Sequence, residues 1–165
     1  MEFPGSMSLK PSTMIAVLKD HVMSLARHGF KRFFFVNGHG GNIATAKSAF
    51  SEIYHELEAA GIHGVKCHFE SWFINSEVLK LCRELYGKGE GYHATPSEIS
   101  VTQYLHPEHI KNADGLKPAP EMDDHDIYGA KAFRAAFPDG RMGSNSAAAS
   151  VEAVSYTHLE PTRPY

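Results

Sequence analysis

An α/β fold with a parallel strand is predicted by three features of the chain. Phe33 to Val36 is a continuous apolar run, and the polar, glycine-rich turn Asn37-Gly38-His39-Gly40-Gly41-Asn42 follows it at once. Ile43, Ala46, Phe50, Ile53, Leu57 and Ala60 then recur at helical spacing. The order is therefore strand, tight turn, helix. In open α/β sheets such a junction lies at the carboxyl end of a strand, where ligands tend to bind, and glycines there let the backbone approach a bound group. His39 sits in the middle of that turn. Two plainer readings stand beside a functional one: a glycine-rich corner whose histidine is merely solvated, or a phosphate cradle at the helix N-terminus. The spacing matches neither the dinucleotide fingerprint nor a P-loop.

Composition narrows the class. The 165 residues are 42% hydrophobic and 21% charged, with a formal net charge of −3, which suits one globular domain and gives no reason to expect nucleic acid. No run reaches the roughly 18 apolar residues of a membrane span, and the opening MEFPGSMSLK lacks the apolar core of a signal peptide. A cytoplasmic protein is expected. Cys67 and Cys82 form no C-x-x-C pair and read as reduced packing residues.

The remaining elements follow from periodicity and caps. Pro11 suits the first turn of a helix, Met14, Leu18, Val22 and Leu25 share one face, and Gly29 supplies a stop, so a helix is predicted over about 11–28. The strand at 33–36 is apolar throughout, the pattern of a parallel strand covered on both faces. Its helix should run from about 43 to 60. A second strand is expected over 65–69, where Val65, Cys67 and Phe69 alternate with polar residues. Trp72, the single tryptophan, stands just beyond its end, most simply as a core anchor and otherwise as a pocket wall. A short helix is predicted near 76–86 and a loop over 87–91. Thr95, Pro96 and Glu98 then compose a helix start: N-cap, first helical position and the returning carboxylate of a capping box. His93 precedes that cap without an evident structural task. Residues 106–126 read as a long proline-rich and acidic loop; Glu121, Asp123, Asp124, His125 and Asp126 lack the spacing of a calcium loop. A helical segment over 128–137 and a last helix over 146–154, capped by Ser144 or Asn145, complete the domain. Residues 155–165 have no helical periodicity and read as a tail, disordered or foreign to the domain.

With His39 in NGHGGN after an apolar strand, and His93 five residues before Glu98 in HATPSEIS, the chain resembles the creatininase (creatinine amidohydrolase) family. EFPGSMSL before the first helix, HGF at that helix's end and Ser71-Trp72 after the second strand add to the likeness, which runs through residues 1–154. The resemblance implies a three-layer α/β/α domain with a largely parallel sheet. It also implies a dinuclear zinc or manganese centre that activates water to hydrolyse a C–N amide bond in a small, often cyclic, substrate, in a protein that commonly forms homo-oligomers. By position in the motifs, His39 would be a metal ligand, Glu98 a carboxylate ligand, and His93 a catalytic residue acting on the amide as proton shuttle or oxyanion partner. Trp72 would line the substrate pocket.

The pattern also departs from the family. Creatininase itself carries a glutamate where this chain has Gly41, which leaves Glu98 as the carboxylate candidate in competition with its capping role. The family's Glu-x-His pair and bridging aspartate lie upstream of the FPG segment, where this chain has only Met1 and Glu2. The expectation is a partial domain without its N-terminal strands and with an incomplete, inactive metal site. The competing expectations are a small-anion or phosphate-binding module with no catalysis, and an oligomerisation partner.

Overall fold

The computed structural model describes residues 2–110, 112–121 and 129–158, the last four of these as backbone. Two compact units emerge: residues 7–78, and residues 1–6 together with 79–165.

The first unit is α/β. Helix α1 (Pro11–Arg27) leads to strand β1 (Arg32–Asn37), helix α2 (Asn42–Ala59) and strand β2 (Lys66–Ser71). The strands pair in parallel, Arg32 opposite Lys66 through Asn37 opposite Ser71, as a βαβ crossover requires. Val22, Met23 and Ala26 of α1 pack with Ala49, Ile53 and Leu57 of α2 and with Val65, and Phe33, Phe35 and Cys67 close this core from the sheet. Of the faces predicted from periodicity, Val22, Ala46, Ile53 and Leu57 are buried, whereas Leu25 and Ala60 are exposed and Met23 and Ala26 take the core side of α1. Lys19 of α1 reaches Glu56 of α2 at 2.7 Å, a bridge between the exposed flanks of the two helices. Gly29 ends α1 with a left-handed φ of +92°, which lets Phe30 N–H reach back to the Leu25 carbonyl at 3.2 Å.

One expectation about β1 fails. Phe34 and Val36 point away from the core and are 63% and 72% exposed, so among the described residues only one face of the strand is covered. An apolar run shows that both faces tolerate apolar neighbours, and it does not record whether such neighbours exist. On that open face Phe34 stacks on His68, whose ring pairs with Glu70 at 3.0 Å.

The second unit is mainly helical: α3 (Ser76–Tyr86, which begins in the first unit), α4 (Pro96–Leu105), α5 (Ala130–Ala136) and α6 (Val151–His158), with short 3-10 turns between. The first two match their expected bounds. Helix α6 starts five residues later than the sequence suggests, because neither expected cap serves it. Ser144 spends its hydroxyl elsewhere, as described below, the Asn145 side chain makes no cap bond, and Ser150 caps α6 by accepting from Ala153 N–H at 3.2 Å. The acidic stretch 123–126 lies outside the described residues. Both cysteines are free, with burial pushing each thiol's pKa up, as packing residues should be. Among the described residues no helix is long and apolar enough to cross a membrane.

Candidate functional site

Each unit carries one histidine on a turn that opens a helix. In the first unit that turn hangs on Asn37, the last residue of β1, which is buried. Its amide is fully used. Nδ2 donates to the His39 carbonyl at 2.8 Å and to Ser71 Oγ at 2.8 Å, while Oδ1 accepts from His39 N–H and from Asn42 Nδ2, both at 3.2 Å. An amide offers two donors and two acceptor positions, so none is wasted. The bonds join the end of β1, the turn, the first residue of α2 and the end of β2. Two backbone bonds of 3.1 Å, Asn42 N–H to His39 O and Ile43 N–H to Gly40 O, finish the turn.

His39 itself is exposed, and its ring folds back over Gly41. A Cβ on Gly41 would lie 2.7 Å from His39 Nε2, although its φ of −61° suits any residue. The glycine thus supplies room rather than backbone freedom, and the space a side chain at 41 would take is filled by the imidazole. Trp72 follows Ser71 directly and opens a 3-10 turn, Trp72–Ile74. Its Nε1 is 3.8 Å from where a Cβ of Gly38 would stand, so the half-buried indole reaches the start of the His39 turn. His39 and Trp72 accordingly emerge from the carboxyl ends of two adjacent parallel strands.

His93 and Glu98 lie in the second unit. Thr95 caps α4, accepting from Glu98 N–H at 3.2 Å, and Glu98 Oε2 returns to Thr95 N–H at 3.4 Å and to Thr95 Oγ1 at 3.3 Å. The capping box predicted from local pattern is present. One turn upstream, Glu90 accepts a short hydrogen bond from Ser97, tying the glycine-rich loop to the first turn of α4. Glu90 also adds its charge to burial in raising the Cys82 thiol pKa.

The His93 backbone is gripped by a segment fifty residues away. His93 N–H and C=O both pair with Met142 at 3.3 Å, and Tyr92 N–H joins them on the Met142 carbonyl at 2.9 Å. Ser144 Oγ donates to the His93 carbonyl at 2.7 Å and Ser146 Oγ to the Ala94 carbonyl at 2.6 Å. The two segments of this contact meet at Gly91, where φ is +66° and any Cβ would fall well under 3.0 Å from the Gly143 and Ser144 backbone. The half-buried His93 ring meets the edge of Phe133 on α5 at 5.7 Å, and Phe133 in turn packs edge-on against Phe3 at 6.1 Å. The FPG segment noted in the sequence is thus part of the packing beneath His93.

Asn37 could have been found from the motif, since it and Asn42 flank the histidine turn. Nothing local marks Ser144 or Ser146, which read as a helix cap and the first residue of a helix. For a metal, the donor set is short. Among the described residues no three His, Cys, Asp or Glu side chains converge so as to hold an ion, so a dinuclear centre does not fit these residues alone.

Comparisons place this geometry in context. The sequence profile of the creatininase family, described as creatinine amidohydrolase, matches residues 1–155. A creatinine amidohydrolase from Pseudomonas putida is 29% identical over 110 residues, covering 64% of this chain and 42% of its own length. A crystal structure of creatinine amidohydrolase (creatininase) superposes with a TM-score of 0.73 at 24% identity, over 94% of this chain and 61% of that one. A glutamate-to-glutamine creatininase variant complexed with creatine gives 0.72 at 24% identity, over 93% of this chain and 62% of that one. A structure named as creatininase with manganese gives 0.71 at 23% identity, over 92% and 60%. At these identities the superpositions show the fold, and the chain spans less than two thirds of the length of each relative.

Proposed function

The chain belongs to the creatininase family, and from that premise we propose that it carries part of a metal-dependent amidohydrolase site that cleaves a C–N bond in a small, often cyclic, amide. The observation that supports this reading is the placing of His39 and Trp72 at the carboxyl ends of adjacent parallel strands, bolted together by the Asn37 to Ser71 hydrogen bond. In it His39 is a metal ligand, with zinc or manganese as the ion; the manganese named for one similar structure and the zinc named for another favour a divalent cation. Glu98 is the carboxylate ligand. Its Oε2 closes the capping box, so coordination draws on Oε1. A catalytic zinc takes about three protein ligands plus water, more than either residue supplies.

His93 acts on the amide itself. An imidazole can both donate and accept a proton, which suits delivery of a proton to the leaving nitrogen or a hydrogen bond to the carbonyl oxygen. Trp72 presents a flat apolar wall with one donor, suited to a small planar amide. The chain by itself does not turn over amide in this reading, and the complete enzyme is a cytoplasmic homo-oligomer.

Metal titration tests the proposal. Calorimetry of the chain with zinc and with manganese should show weak binding that His39→Ala abolishes, with no hydrolysis of creatinine. Tight binding of two ions per chain would overturn the incomplete donor set. Thermal stabilisation by inorganic phosphate that survives His39→Ala, with no response to metal, would replace the reading by anion binding at the α2 N-terminus.

A further inference from the structure

Ala94 is the one non-glycine residue among the described residues with a left-handed backbone, φ +52°. For a residue with a Cβ that conformation is disfavoured, and it persists only where the surroundings over-determine it. Here they do so from both sides. On the carboxyl side Thr95 is held as N-cap by its capping box, and Pro96 opens α4 with a fixed φ. On the amino side both backbone groups of His93 pair with Met142. Between these anchors the two carbonyls that flank Ala94 N–H and follow its Cα receive hydroxyl donors, Ser144 to His93 O and Ser146 to Ala94 O. Those serines are 0% and 6% exposed, so their hydroxyls have no alternative in bulk water.

We infer that Ser144 and Ser146 are positioning residues for His93: their buried hydroxyls hold Ala94 in its left-handed conformation, and that conformation aims the imidazole. The functional meaning of this inference rests on the proposed action of His93 at the amide. The geometric argument is independent of it. Relaxing Ala94 to negative φ would turn the peptide plane that carries the His93 carbonyl and swing the ring from its contact with Phe133. A proton donor displaced by about an ångström loses much of its value, because transfer requires hydrogen-bond reach of about 3 Å in the productive pose. The bend therefore links a segment remote in sequence to the place where the imidazole acts.

Glycine separates this role from simple structural support, since it adopts left-handed φ without help. The experiment follows the ring-proton resonances of His93 in the full chain, labelled at histidine, where the Phe133 ring current and the His93 to Phe133 cross-relaxation report the ring's place. In Ser144→Ala/Ser146→Ala the Phe133-induced displacement and the cross-peak should be lost, while circular dichroism shows the helices retained. Adding Ala94→Gly to that variant should restore both signals. Ala94→Gly alone should keep the wild-type signals and raise the thermal midpoint. Wild-type His93 signals in the double serine variant, or no restoration by glycine, would overturn the inference. If the double variant does not fold, Ser146→Ala with and without Ala94→Gly makes the same comparison through the Ala94 carbonyl alone. Failure of the functional reading is seen separately: His93→Gln would then leave amide hydrolysis unchanged in a turnover-competent family enzyme bearing this segment, whatever the resonances show.

Discussion

The turn that carries His39 and the turn that carries His93 present the same side chain ahead of a helix, and they are secured by different means. The first is clamped mainly from within five residues, with one further bond to Ser71 34 positions away. Asn37 and Asn42 belong to the turn's own motif, and the backbone between them is relaxed, with Gly41 at φ −61°. The second is clamped from about fifty residues downstream, by Met142, Ser144 and Ser146, and it contains the strained Ala94. A turn whose hydrogen bonds are local can be encoded in a short motif. A strained turn needs a second segment to hold it, and the identity of that segment depends on the fold.

The largest expected test of this difference is Gly91→Ala. The new Cβ would meet the Gly143 and Ser144 backbone, which cannot move aside as a side chain can, at a residue whose φ of +66° already opposes alanine. A loss on the order of 3 kcal/mol is expected, read from urea unfolding by circular dichroism. A loss below about 1 kcal/mol would mean that the two segments are not in tight register.

Asn37→Ala comes next. It removes a buried amide and takes a partner from His39 N–H, Ser71 Oγ and Asn42 Nδ2, while the His39 carbonyl keeps Asn42 N–H. About 2 kcal/mol should be lost from the first unit, followed through Trp72 fluorescence, because four hydrogen bonds of a buried amide go and the buried Ser71 Oγ loses its donor. A change no larger than that of a surface substitution would break the idea of a local clamp.

Gly41→Ala is the counterpart of Gly91→Ala and should be mild. The backbone there is already helical and the only obstacle is the His39 ring, at 2.7 Å from the new Cβ. Less than about 1 kcal/mol is expected, typical of a small change at a helix N-terminus. The His39 ring resonances should nevertheless shift as the imidazole swings away. Equal losses for the two glycine substitutions would erase the contrast between relaxed and strained turns.

The smallest effect concerns the brace just before the second clamp. Arg141 donates to Asp139 Oδ2 from Nε at 2.9 Å and from Nη2 at 2.7 Å, and its Nη1 reaches the Lys117 carbonyl at 2.7 Å. The Arg141 hydrogen bonds hold the Asp139 carboxyl below the usual carboxylate range. A depressed folded-state pKa means that the contribution is present above the ordinary carboxylate pKa and is lost as pH falls through the folded value. Asp139 is half exposed, so solvent screening limits the contribution to about 0.5 kcal/mol. Comparing acid unfolding of the wild type with Asp139→Asn, the wild type should lose this margin below about pH 4 while the variant shows no such loss.

Legibility followed the range of the interactions. Helices α1, α2 and α4 were readable because their apolar spacing and caps lie within a few residues of one another; the Thr95 to Glu98 capping box spans three. The alternation of β2 and the glycine turn before α2 were readable for the same reason. The start of α6 was not, because Ser144 looks like a cap until His93 is known to need its hydroxyl. The open face of β1 was not, because an apolar residue does not record what covers it.

By itself, then, the sequence determined the family, the α/β class, the two histidine turns and the capping of α4, all of which rest on short-range stereochemistry and motif. The tertiary structure alone decided that Asn37 ties His39 to the strand that delivers Trp72, and that Ser144 and Ser146 hold the bend behind His93. Those bonds join residues 34 to 52 positions apart. At such separations a serine or asparagine carries no local sign of its partner, because a hydroxyl or amide bonds equally well to any buried group the fold brings within reach.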